Sequence, residues 1–96
     1  MNNAEIGRAL NSIGKAAFVK YFKTFRKCGN GGSNAACIRA LQNVGDSEAA
    51  RQTRCSRAKS IFYAGKECKA LKICAAARIP SAAKRAAEAL RKTYCG

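Results

Sequence analysis

The chain has 96 residues, with 19 Lys and Arg against five Asp and Glu, no His and no Trp, for a net charge of +14. That length fits a single domain spanning 1–96, and no apolar run approaches the roughly 18 residues that a membrane-spanning helix needs. Without His the usual proton shuttle at neutral pH is missing, and the few acidic residues form no cluster of the kind metal-assisted phosphodiester cleavage uses, so composition favours binding over catalysis.

The elements read in chain order are helical. Asn2 is placed to cap a first helix, with Glu5 three residues on as its capping-box partner. Apolar residues then recur at helical period through Ile6, Leu10, Ile13, Ala17, Phe18, Tyr21, Phe22 and Phe25, which predicts one long amphipathic helix ending near Gly29. Gly29-Asn30-Gly31-Gly32 reads as a loop. It lacks the Lys-Ser/Thr that would make it a phosphate-binding glycine motif. Ser33 or Asn34 caps a short second helix carrying Cys37, Ile38, Leu41 and Val44, and Gly45-Asp46-Ser47 breaks it. A third helix, capped by Asp46 or Ser47, runs through Cys55, Ala58, Ile61 and Phe62, with Gly65 ending or bending it. A fourth carries Cys68, Leu71 and Cys74 and stops before Pro80, because the residue preceding proline is pushed out of helical geometry. Ser81 is then expected to cap a last helix with Ala83, Ala86, Ala87, Leu90 and Tyr94 on one face. No segment shows the period of a strand, so the expected fold is all-α, a small bundle of four to five short helices cross-linked by three disulfides.

The disulfides follow from a thin core. Twenty residues are Ala, and only 19 are larger aliphatic or aromatic side chains. Burying a Leu- or Phe-sized side chain contributes roughly 1.5–3 kcal/mol, against about 1–2 kcal/mol of backbone entropy per ordered residue. Cys28, Cys37, Cys55, Cys68, Cys74 and Cys95 make an even set in a small chain, the mark of an oxidising compartment. They lack zinc-knuckle spacing and a His partner, so no metal is expected, and there is no C-x-x-C redox pair. Six cysteines allow many pairings. Cys28–Cys37 is the expected clip across the Gly-rich loop, with the other two bridges drawn from Cys55, Cys68, Cys74 and Cys95; Cys68 and Cys74 would reach different neighbours.

Charge points to a polyanionic partner, because surfaces ordinarily mix signs and this one does not. Residues 51–96 hold twelve basic side chains against Glu67 and Glu88, whereas 31–50 hold Arg39 against Asp46 and Glu48. The candidate anion-binding residues are Lys15, Lys20, Lys23, Arg26 and Lys27 in the first helix, then Arg51, Arg54 and Arg57, then Lys66, Lys69 and Lys72, and finally Lys84, Arg85, Arg91 and Lys92. Phe18, Phe22 and Phe25 beside the first group suit either insertion at a membrane interface or a core that can hardly spare its aromatics.

The leading expectation is a secreted cationic antibacterial or toxin-type effector acting on anionic membranes. Its alternative is a nucleic-acid-binding protein, or a nuclease-type toxin domain, whose basic helices grip phosphates. The expected partners are anionic lipid or nucleic acid and an acidic inhibitor or immunity protein, with no small-molecule cofactor. The start, Met1-Asn2-Asn3-Ala4-Glu5, lacks the basic and apolar regions of a signal peptide, so an extracellular protein of this sequence is expected to be an excised segment or to leave by another route. In general appearance the chain is similar to saposin-like cationic helical proteins, whose cysteine pattern begins with a C-x-x-C that is missing here. It is also similar to short basic C-terminal segments of bacterial polymorphic toxins.

Overall fold

The computed structural model describes residues 1–29, 34–41 and 47–95. These form seven helices and no strand: α1 (Asn3–Ile13), α2 (Lys15–Lys20), α3 (Phe22–Gly29), α4 (Asn34–Ala40), α5 (Glu48–Tyr63), α6 (Glu67–Ala76) and α7 (Ser81–Tyr94). The all-helical class stands, with more and shorter helices than expected. The expectations for Ser33, Val44, Gly45 and Asp46, and for most of the Gly-rich loop, lie outside the described residues.

The main correction concerns the first helix, which is three. A straight helix over residues 3–29 would run ~40 Å, longer than the largest dimension of the molecule, 30 Å. The chain breaks first at Gly14, whose φ of +90° suits a residue without Cβ. It breaks again at Tyr21, with φ −104° and ψ 19°. The breaks fold the apolar stripe back on itself, so that Ile6, Leu10 and Ile13 of α1 and Phe18, Phe22 and Phe25 of α2 and α3 all enter one core.

α5 packs against α1, α3 and α4, and α6 pairs with α7, which also touches α2. Local signals set several boundaries as expected. Asn2 accepts from the Glu5 backbone N–H at 2.9 Å, while the Glu5 carboxylate accepts from the Asn2 N–H at 3.4 Å. Ser47 caps α5 by accepting from the Ala50 N–H at 3.2 Å. Gly65, with φ +71°, ends α5 rather than bending it. Ser81 corrects another expectation. It is the first helical residue of α7, and Pro80 in the capping position offers no side-chain acceptor. Gly29 meets α5 so closely that a Cβ there would overlap the Phe62 side chain.

Two disulfides are formed, not three. Cys37 bonds Cys55, tying α4 to the middle of α5. Cys68 bonds Cys95, with Cα atoms 5.8 Å apart, and joins the start of α6 to the end of α7 as an antiparallel pair. The expected Cys28–Cys37 clip is therefore overturned, because the partner that α4 presents to Cys37 lies on α5. Cys28 and Cys74 are buried outside both bridges. At sequence separations of 18 and 27 residues, each bridge restrains the unfolded chain by roughly 3–4 kcal/mol in the loop-entropy view.

Candidate phosphate-binding surface

Among the described residues most large apolar side chains are buried or partly buried. Phe18, Phe22 and Phe25 are 0–1% exposed. Phe22 lies 5.1 Å from the Phe62 ring and 5.3 Å from the Tyr94 ring, and Phe18 stacks on Phe25 at 6.1 Å. These three phenylalanines are thus core, and in this conformation they offer no edge to a bilayer. Among the described residues the exposed large apolar side chains are Met1, at 38%, and Tyr63, at 88%.

The cations stay outside, in varying degree. Lys20, Lys23, Arg26 and Lys27 are exposed and Lys15 half-buried; Lys66, Lys69 and Lys72 are exposed along α6; Arg85 and Lys92 are exposed on α7, with Lys84 and Arg91 half-buried. The fold joins groups that are distant in sequence. The Arg26 guanidinium lies over the Tyr94 ring, 4.7 Å from its centroid, which brings the end of α3 beside the last turn of α7, where Arg91 and Lys92 sit. Both helices carry cations to that end, so it concentrates positive charge.

The three arginines of α5 do not act alike. Arg54 is half-buried and donates from Nη1 to the Ile13 carbonyl at 2.9 Å, satisfying the end of α1 where the chain breaks at Gly14. One face of its guanidinium is thus structural. Arg51 is half-buried as well, and Arg57 is exposed. Arg57 lines a cleft of 590 Å³ between α1 and α5 with Glu5, Arg8, Asn11, Ser12 and Ser60. The Ser12 and Ser60 hydroxyls donate to the Arg8 and Ser56 carbonyls at 3.3 and 3.0 Å, so the charged donors left for an anion in this cleft are Arg8 and Arg57. No pattern in the sequence marks Arg8, which is separated from every other basic residue by at least six positions. Its value comes only from the approach of α5.

The acidic residues are dispersed by their local roles. Glu5, Glu48 and Glu67 each occupy the first turn of a helix, where a carboxylate complements the positive end of the helix dipole. Glu88 pairs with Arg91 at 2.9 Å. Among the described residues no group of three or more His, Cys, Asp or Glu could hold a metal ion.

The remaining thiols are poorly suited to nucleophilic work. Burial pushes the Cys74 thiol up to about 11, with Lys15 pulling the other way, and its Sγ faces the Lys15 carbonyl at 3.7 Å. Burial likewise raises Cys28, against the opposing pull of Lys59 and of a hydrogen bond from the Cys37 backbone. A thiol held above its ordinary value carries little thiolate at neutral pH.

Another recess is apolar. Ala16, Val19, Pro80, Ala82, Ala83 and Ala86 form an apolar groove of 340 Å³ between α2 and the start of α7, with Lys20 at its edge. No family model, no curated protein and no solved structure matches this chain.

Proposed function

We propose that this protein binds nucleic acid through its phosphates. One observation carries the reading: among the described residues, exposed cations stand on α2, α3, α5, α6 and α7, while the large apolar side chains apart from Met1 and Tyr63 are buried or partly buried. A protein that grips a phosphate backbone needs dispersed positive donors and no apolar wedge. A protein that inserts into a bilayer needs bulky apolar anchors on the cationic face, and here those anchors fill the core. The two disulfides fit an oxidising compartment, so the reading includes a secreted, toxin-type role. An acidic inhibitor that covers the cationic surface would be its natural antagonist.

A second reading, attachment to anionic membranes as an antibacterial effector, draws on the apolar groove beside Lys20. One experiment separates the two. Fluorescence anisotropy with labelled DNA, run across a salt series, is expected to show binding whose affinity falls steeply with salt, in proportion to the phosphates contacted. Dye-loaded vesicles of anionic lipid are expected to stay intact at the same protein concentration. Leakage without DNA binding would overturn the nucleic-acid reading and establish the membrane one.

A further inference from the structure

The chain places one aromatic where its own stability gains nothing. Of four Phe and three Tyr, Phe18, Phe22 and Phe25 are buried, and Tyr21, Phe62 and Tyr94 are partly buried against the core. Tyr63 stands apart at 88% exposure. A protein this short of large side chains would be expected to bury its aromatics, since each contributes substantially when removed from water. Phe62 and Tyr63 are adjacent, yet successive helical residues point about 100° apart, so the core takes the first and water surrounds the second.

Basic residues flank Tyr63 along the chain, and the helix that carries it also walls the α1–α5 cleft, whose lining does not include Tyr63 itself. It is the last residue of α5. Lys59 is one turn before it on the same helix and Lys66, just past the turn at Gly65, is exposed. Ser60, three residues earlier, lines the cleft with Arg57 and Arg8. Arg57, Ser60 and Tyr63 are all exposed on α5, and each step of three residues turns about 60° round its axis, so Tyr63 stands about 120° round from Arg57 with Ser60 between them. The helix rises about 1.5 Å per residue, so the backbone positions of Arg57 and Tyr63 are offset by roughly 9 Å along its axis.

We infer that Tyr63 is a base-stacking platform, and that the ligand is single-stranded nucleic acid laid across the α1–α5 cleft with its phosphates on Arg8 and Arg57. This rests on the nucleic-acid reading and specifies its substrate class. A duplex keeps its bases stacked on one another and offers an exposed ring nothing to pair with. A single strand presents free base faces, and stacking on an aromatic is sequence-tolerant because every base has such a face.

The test compares an oligothymidylate single strand with a duplex of the same length at fixed salt, by anisotropy, for the parent chain and the variants Tyr63→Ala, Tyr63→Phe and Arg57→Ala. The parent is expected to prefer the single strand. Tyr63→Ala is expected to lose roughly tenfold in single-strand affinity, the scale of one stacked base, with its duplex affinity unchanged. Tyr63→Phe should retain the parent affinity, because the ring is kept. Arg57→Ala should weaken both ligands and shallow the salt dependence of each. Binding should also quench tyrosine fluorescence in the parent and less so in Tyr63→Ala. Because Tyr63 is solvent-exposed, circular dichroism of its variants should match the parent. If Tyr63→Ala binds the single strand as tightly as the parent does, the stacking role is refuted while the nucleic-acid reading stands. If the parent binds neither strand, both fall together.

Discussion

The α1–α3 region and the α6–α7 pair hold together by different physics. The first buries Ile6, Leu10, Ile13, Phe18, Phe22 and Phe25, large side chains that interlock with α5. In the second, α7 buries only Ala87 completely, with Leu90 and Tyr94 partly covered, and its end is pinned to α6 by Cys68–Cys95. A methyl group removes little surface from water compared with a phenyl ring. The contrast shows how a chain with few large side chains divides its means: packing where they are concentrated, and a covalent link where alanine leaves too little.

Each region can be weakened separately. The largest expected effect is that of Phe18→Ala, which removes a fully buried ring contacting Phe22, Phe25 and Phe62. A loss of about 3–5 kcal/mol is expected, read as a lowered midpoint in urea with the whole chain affected. The double variant Cys68→Ala/Cys95→Ala should cost about 3–4 kcal/mol. Its signature should be local. Amide exchange is expected to accelerate first in α7, while α1–α3 keep their protection; uniform loss of protection would show that α7 packs as strongly as the aromatic region.

The smallest effect is alkaline and falls at the seam between the two regions, where Cys74 of α6 meets the start of α2. Burial raises its thiol from 9.0 to about 11. A group raised in the folded state contributes stability that is complete below its unfolded value and is lost as pH climbs toward its folded one. Stability should therefore decline between pH 9 and about 11. Replacing Cys74 by Ala should flatten that decline, measured by urea titration at each pH. A slope unchanged by the substitution would place the alkaline sensitivity elsewhere.

Much of this fold is legible along the chain because many of its signals are short-range. The Asn2–Glu5 capping box, the Ser47 cap and the stop at Gly65 each involve residues within a few positions of one another. The candidate site is less legible. Arg57 could be picked out by its spacing from Arg51 and Arg54, but its separation from them in role depends on Arg54 meeting Ile13 across 41 positions. Tyr63 had no distinguishing feature beside Phe62 until the burial of one and the exposure of the other were known.

Helical class, charge excess and the caps at Asn2 and Ser47 can be read along the chain, since propensity, periodicity and formal charge are local or additive properties. The tertiary structure alone decided that the first amphipathic stripe breaks at Gly14 and Tyr21, that Cys37 meets Cys55 and Cys68 meets Cys95, and that Arg8 shares a cleft with Arg57. Those outcomes depend on how elements far apart in the chain share one small core, and a side chain's partner across the fold is not encoded in its neighbours.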